Sequence, residues 1–465
     1  MAANRQGLQT TSNNITNANT PGYSRQRVEL QSNAQAYSGN RLSGGGVDVK
    51  GVIRIHDSFV QKQIVDESKA FGNYKARATE MRRLEDQLTN NEGELRGSLT
   101  KFFSDVRELS ASPEISATKS LVLHSAESVA GAFRRSSENL ENLGKGIDER
   151  ISYELKQVNG LTKELATLNT SISVAMHSDR NANELLDQRD LVLKNLSEKI
   201  GYDMMSDDAG NINVVVSGIG VLVQGGGSYN FDCQRTEAND SKRAGSVDIF
   251  LRNLSTDHKA TPFIKEGILG GLLHVRDAVM RPAMDHLDKV AFQFGTSVNE
   301  VHRRGVGTDG VGDRELFKIT DTANSAAAMI GLNDKIGNSA MAIAAGESGS
   351  SGDNRVALMM SDLENAKLVG DPYLSARDGV NDQTFNESLN AMVGFVGVEA
   401  QSMDQMYQQH ESILGQLNQY RENVSGVSLE EEAIRLMQYQ TAFQAAAKSL
   451  RIGDEILQTI LSLKD

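Results

Sequence analysis

Gly305-Val306-Gly307-Thr308-Asp309-Gly310 spells GxGxxG, the pattern that lets a backbone approach a pyrophosphate. Such a loop holds a dinucleotide only when it follows a strand and opens a helix. Here a helical pattern precedes it and more loop follows, so it reads as a flexible turn and no cofactor is assigned. Asp309 and Asp313 could offer oxygen ligands to a hard cation, yet they lack the EF-hand spacing and its closing glutamate. The eight histidines show no ligand spacing, and Cys233 stands alone, which removes disulfides, CxxC motifs and thiolate clusters. HExxH, GxSxG and the P-loop are absent. Asp187, Arg189 and Asp190 form a tight group of opposite charges. On a predicted helix they read as ion pairs to neighbouring helices rather than an acid–base pair. The sequence thus assigns no catalytic, cofactor-binding or metal-ligating residue and reads as that of a non-enzyme.

Composition points the same way. The 465 residues set a prior of about three domains. Lys plus Arg number 48 against 61 Asp plus Glu, a net charge of −13. Spread without basic blocks, it argues against nucleic-acid binding as the main role. Aromatics are 5% and tryptophan is absent, a texture of helices with small contacts more than of a deep pocket. No apolar run approaches the roughly 18–20 residues that span a bilayer, so no membrane insertion is expected. Met1 to Ile15 lack the charged and apolar regions of a secretory signal.

The elements follow from periodicity. The stretch between Pro113 and Pro262 is free of proline, which permits long helices. Within it Leu140, Leu143, Ile147, Ile151, Leu155, Val158, Leu161, Leu165, Leu168 and Ile172 advance in steps of three and four, one apolar helical stripe. Gly144, Gly146 and Gly160 weaken it, which leaves room for a break or bend near Gly144. Helical blocks are also predicted from about Asp57 to Leu109 and from Ala182 to Ile200. After Gly201 the period becomes two, with turns at Asp208-Ala209-Gly210-Asn211 and Gly225-Gly226-Gly227 and an exposed loop from Ala238 to Gly245. Helix resumes from Gly270 to Arg303. Residues 323–352 read as irregular with short helices, and a last bundle helix runs from Phe385 to Val424. The expected fold is mainly α with a small β insert (α+β). Its parts are an N-terminal helix and extended segment (1–56), a helical bundle in two pieces (57–200 and 267–424), one inserted β domain (201–266) and a C-terminal helix (425–465).

The two ends carry matching repeats. Ser428 and Glu431 form an S-x-x-E capping box, with Glu430, Glu431 and Glu432 at the positive end of the helix dipole. Beyond it Leu429, Leu436, Phe443, Leu450 and Leu457 recur every seven residues, which favours a supercoiled seam. Met1, Leu8 and Ile15 repeat the spacing until Pro21-Gly22 ends the helix. The lengths differ, roughly 24 Å against about 50 Å. That mismatch leads to the expectation that Met1 is a late start or that the natural chain extends upstream.

Ser12-Asn13-Asn14-Ile15-Thr16-Asn17-Ala18-Asn19-Thr20-Pro21-Gly22-Tyr23-Ser24-Arg25-Gln26 resembles the N-terminal signature of the bacterial flagellar rod, hook and hook-associated proteins. Glu431-Glu432-Ala433, Gln438-Tyr439-Gln440 and Ile456-Leu457-Gln458 resemble their C-terminal axial helix. Leu186-Asp187-Gln188-Arg189-Asp190, Gly270-Gly271-Leu272-Leu273 and Arg276-Asp277 are similar to the hook-associated branch that joins hook to filament. The resemblance implies Asn13, Asn14, Asn17, Asn19, Thr20, Pro21, Gly22 and Tyr23 as the signature. It implies that the two terminal parts are axial and that the β domain lies outermost. It also implies an extracellular, type III-exported structural protein that packs its terminal helices in a coiled coil through Leu8, Ile15, Leu429, Leu436, Phe443, Leu450 and Leu457. The implied partners are copies of itself, the hook protein, the next hook-associated protein and an export chaperone on the C-terminal helix. A hook or rod axial protein would share both ends but should lack the long helical middle. A helical adaptor protein is the other alternative.

Overall fold

The computed structural model describes residues 1–32, 36–38, 41–43, 46–178, 181–207, 209–235, 246–252, 257–337, 339–350, 352–370 and 382–462. Helix α1 (Ala2–Thr16) leads into an antiparallel ribbon of β1 (Gln26–Ser32) and β4 (Val47–Arg54), with β2 (Ala36–Ser38) paired to β3 (Arg41–Ser43) between them. Two long helices follow, α2 (Ser58–Ala111) and α3 (Ser116–His177), then α4 (Asn183–Lys199). Seven strands come next: β5 (Asp203–Ser206), β6 (Ile212–Val216), β7 (Gly220–Gln224), β8 (Gly227–Ser228), β9 (Asn230–Arg235), β10 (Val247–Arg252) and β11 (Asp257–Lys259). Helix α5 (Gly267–His274) passes through a π-helical turn (Val275–Met280) into α6 (Arg281–His302). Small elements then precede the closing pair: β12 (Phe317–Lys318), α7 (Ala326–Met329), β13 (Gly331–Leu332), α8 (Arg355–Asp362), and finally α9 (Phe385–Ser425) and α10 (Leu429–Ser462). Among the described residues no helix is long and apolar enough to cross a membrane.

Local chemistry sets the helix starts. Asp57 caps α2 by accepting from the Phe59 and Val60 amides at 2.9 and 3.2 Å. Thr384 and Glu387 form a reciprocal capping box on α9, a signal the sequence carries as T-x-x-E. The bundle is built on α2, which packs against α3 on one side and α9 on the other. At one end Phe294 gathers Phe102, Phe103, Phe133, Phe317 and Phe385, with ring centroids 5.2–6.2 Å apart.

Two expectations change. Helix α3 runs unbroken through Gly144 and Gly146, 62 residues in all. Gly144 is a packing position within the continuous helix, because a Cβ there would stand 2.8 Å from Met280 Cε in the π turn. The β strands, in a four-stranded sheet ordered β5-β6-β7-β8 and a three-stranded one ordered β11-β10-β9, do not close a core of their own. Val214, Leu222, Phe231 and Ile249 belong to one apolar cluster with α2 and α3.

Amides on α3 dock these sheets as peptide mimics. Asn159 donates to Phe231 O and accepts from Phe231 N, both at 2.8 Å. Asn169 does the same to Ile212 at 2.9 and 3.2 Å. The loop predicted for Ala238 to Gly245 lies outside the described residues, as does Asp208 of the predicted turn. The glycine-rich turn at 305–313 is present, and the Asp309 carboxylate within it is clamped by both terminal nitrogens of Arg314 at 2.7 Å.

Candidate assembly interface at the joined termini

The chain ends meet. Helices α1 and α10 pack together and run antiparallel, since Gly7 lies against Tyr439 while Asn14 lies against Glu432. The buried residues of α1 are Gly7, Thr10, Thr11 and Asn14. That face is small and polar, one position ahead of the apolar repeat. A Cβ on Gly7 would come within 2.6 Å of the Tyr439 ring, so glycine lets the backbone approach the aromatic face closely.

Asn14 is the node of the joint and is 1% exposed. Its Nδ2 donates to Gln26 O and to Glu432 Oε2, both at 2.9 Å. Its Oδ1 accepts from Gln26 N and from the Tyr23 hydroxyl, again at 2.9 Å. Two donors and two acceptors are thus all engaged, the full capacity of an amide. Glu432, also 1% exposed, has its other oxygen 3.9 Å from Arg435 Nη1. Burial, together with Asp187, Glu184 and Glu432, pushes the Tyr23 hydroxyl up to about 12.

The chain then turns at Gly22, whose φ is +82° and which packs against Leu191 of α4. A left-handed φ beside a neighbouring side chain suits glycine and few other residues. Beyond the turn, Ser24 N donates to Asp187 Oδ2 at 2.9 Å and Arg25 N to Ser425 O at 2.8 Å. Arg54 Nη1 at the end of β4 bridges Asp187 Oδ1 at 3.0 Å and Asp190 Oδ2 at 2.7 Å. Arg25 Nη1 reaches Glu431 Oε2 at 2.8 Å, and Arg421 donates to Tyr23 O at 3.3 Å. Burial, with the Arg54 charge beside it, holds His56 below the usual histidine range. The joint therefore ties α1, the ribbon, α4, α9 and α10 through charged groups mostly out of solvent.

These contacts revise several sequence readings. Asp187 and Asp190 pair with a strand residue and a backbone amide, not with neighbouring helices. Arg189 donates to Gly210 O at 2.9 Å. At the start of α10 the Ser428 hydroxyl accepts from Glu431 N at 3.4 Å, but the Glu431 carboxylate turns to Arg25, so the capping box is only half made. Of the signature, Asn14 and Tyr23 are buried and Gly22 makes the turn. Asn17 closes α1 by donating from its side chain to Asn13 O at 3.0 Å and holds Thr20 Oγ1 at 3.2 Å. Asn13, Asn19, Thr20 and Pro21 are exposed.

Of the apolar repeat, Leu8, Ile15, Leu436 and Phe443 are half-buried, while Leu429, Leu450 and Leu457 are exposed. Past Ala447, α10 also exposes Ile452, Ile456, Ile460 and Leu461. Gly7, Arg54, the ion pair of Arg25 with Glu431 and the buried role of Glu432 escaped sequence reading. A signal for two of them existed, since Gly7 to Asn14 and Glu432 to Tyr439 are also steps of seven. Among the described residues no group of three or more His, Cys, Asp or Glu could hold a metal ion.

Comparison with known proteins adds names to this geometry. A family profile described as "Flagellar hook-associated protein FlgK helical domain" matches residues 81–317, just over half of the chain. Two further profiles cover the joined ends: "Flagella basal body rod protein" at residues 1–23 and "Flagellar basal body rod FlgEFG protein C-terminal" at 418–463. Flagellar hook-associated protein 1 of Bacillus subtilis is 28% identical over 503 residues, spanning 99% of this chain and 96% of its own. The protein of the same name from Salmonella typhimurium is 24% identical over 550 residues, spanning 98% and 97%. Among solved structures, the flagellar hook junction protein FlgK from Burkholderia pseudomallei superposes with a TM-score of 0.69 at 15% identity. It covers 78% of this chain and 100% of that one, a likeness of fold.

Proposed function

The chain belongs to the flagellar hook-associated protein FlgK family, and from that premise we propose how it builds its part of the bacterial flagellum. It is a structural protein of the junction between hook and filament, and its family is one of structural rather than catalytic proteins. In our reading residues 1–56 and 425–465 form one axial element, the helices of 57–200 and 267–424 form the bundle around α2, and 201–266 is the β region. Leu8, Ile15, Leu429, Leu436, Phe443, Leu450 and Leu457 pack against the terminal helices of neighbouring copies. Further contacts reach the hook protein on one side and the next hook-associated protein on the other. Before assembly the chain travels through the flagellar type III pathway with a chaperone on α10, and it carries no catalytic activity.

The observation that carries this reading is the uncovered end of α10. Leu450, Ile452, Ile456, Leu457, Ile460 and Leu461 are all exposed within 12 residues, an apolar density that solvent-facing helices rarely hold. The α1–α10 pairing leaves that surface open for copies arriving head to tail, the contact a tubular assembly requires.

The test is deletion of residues 450–465 followed by electron microscopy of hooks. The bundle should keep its helicity, because among the described residues its apolar core and the side chains packed on it extend no further than Tyr407. Hooks should lack filaments and filament protein should appear in the medium. Filaments of normal length on such hooks would sink the axial assignment.

A further inference from the structure

The outer face of α9 lacks what a solvated helix face normally carries. Val398, Gln401, Gln405, Gln409, Gln416 and Tyr420 are all exposed, and at about 100° per residue they fall within an arc of about 100°. Between Val398 and Asn423 that arc contains no Asp, Glu, Lys or Arg. Glu399 sits on one flank, and Asp404, Glu411 and Glu422 on the other. Helix α3 shows the ordinary pattern, exposing Glu127, Arg135, Glu138, Glu141, Lys145 and Glu149 along a comparable length.

We propose that this stripe is a contact surface for a second copy of the chain in the assembled junction, an inference that rests on the structural reading above. Each copy carries a net charge of −13, so copies repel wherever charged faces meet. Glutamine amides supply donors and acceptors without that repulsion. Depletion of charge with an aromatic anchor marks the centre of an interface. Here Tyr420 is 53% exposed and Val398 69%.

The stripe is about 38 Å long. It offers on the order of 500 Å², most of the roughly 800 Å² that each partner gives to a standard interface. It also ends just before α10, which exposes Ile434 and Met437 near its start.

A photo-crosslinking amino acid placed at Gln405 or Gln416 in the full chain, assembled on flagella, tests this, with Gln444 on exposed α10 as the reference site. Irradiation should join position 405 or 416 to the same chain, read by mass spectrometry of an adduct of twice the chain mass. Adducts only to another protein, or none while Gln444 crosslinks to a flagellar component, overturn the proposal and leave the axial reading standing. Silence at all three positions overturns both. Independently, the double variant Gln405→Glu with Gln416→Glu should keep the monomer's circular dichroism and enter flagella at least fivefold less. Incorporation at the unsubstituted level overturns the proposal.

Discussion

Asn14 and Glu432 are 418 positions apart in sequence and meet at 2.9 Å with neither side chain open to solvent. Through them the two ends of the chain are fastened where α1 ends and α10 begins. Asn14→Ala would strand Glu432 Oε2, the Tyr23 hydroxyl and both backbone groups of Gln26. Unpartnered buried groups of this kind cost about 1–3 kcal/mol each, more when charged, so we expect at least about 3 kcal/mol of lost docking. Amide exchange of residues 23–28 should accelerate accordingly, while protection in α2 and α3 should not change. Combining it with Glu432→Ala should cost less than the sum of the two, because the second change removes the stranded carboxylate.

Gly7 and Tyr439 give a steric test of the same pairing. In an isolated helix Gly7→Leu would raise helix propensity by roughly 1 kcal/mol. In the folded chain its side chain would have to occupy the space of the Tyr439 ring, 2.6 Å from the ideal Cβ. The prediction is greater protease sensitivity of residues 1–23 in Gly7→Leu, with protection regained when Tyr439→Ala is added. Equal sensitivity in both variants would show that α1 does not dock through this face.

How far this was legible follows from which forces leave a periodic trace. The long stripe from Leu140 to Ile172 placed α3, because burying one helical face repeats every three to four residues. The heptads at both ends placed α1 and α10. What periodicity could not show is that α1 buries Gly7, Thr10, Thr11 and Asn14 and leaves Leu8 and Ile15 half covered. An apolar repeat gives the spacing of a helical stripe but not how much of it the single chain covers, and here Leu429, Leu450 and Leu457 stay exposed. Long-range polar pairing is equally silent in sequence. Nothing local links Ser24 to Asp187 or Arg54 to Asp190, so the resemblance pointed to both motifs without revealing that they touch.

Arg54 is the bridging cation of the joint, with side-chain exposure of 14% against 7% for Asp187 and 18% for Asp190. Arg54→Met keeps much of its volume and removes its charge, leaving two enclosed carboxylates opposed. Breaking a buried pair by deleting one partner typically costs 3–5 kcal/mol, and a loss of about that size is expected by chemical denaturation. Arg54→Lys should recover only part of it, because an ammonium is more strongly hydrated than a guanidinium and loses more on leaving water.

Gly271 illustrates a second kind of close approach, in the Gly270-Gly271-Leu272-Leu273 landmark. A Cβ at Gly271 would stand 2.4 Å from the Asn73 carbonyl oxygen, a backbone atom of α2. Asn73 Nδ2 in turn holds Lys265 O at 2.8 Å and Gly267 O at 3.2 Å, so α2 cannot withdraw without breaking these bonds. Gly271→Ala should destabilise the bundle by about 1–3 kcal/mol. Gly146→Ala is the control, because nothing lies within 4 Å of its Cβ position in α3. It should gain about 1 kcal/mol of helix propensity. Thermal unfolding of the two variants should therefore shift in opposite directions.

Tyr23 supplies the pH dependence of the joint. Its hydroxyl must keep its proton to donate to Asn14 Oδ1, and burial together with nearby carboxylates pushes it up to about 12 from the ordinary 10. A folded value above the unfolded one means that this stabilisation is complete below pH 10 and is lost as pH rises from about 10 through 12. A difference titration of the full chain against Tyr23→Phe, followed by phenolate absorbance, should show one residue ionising near 12. Tyr23→Phe should cost about 1 kcal/mol at neutral pH and abolish that part of the alkaline loss which belongs to the terminal element. Ionisation of Tyr23 near 10 with the ends still protected from proteolysis would mean that the hydroxyl is not held between Asn14 and the acidic residues around it.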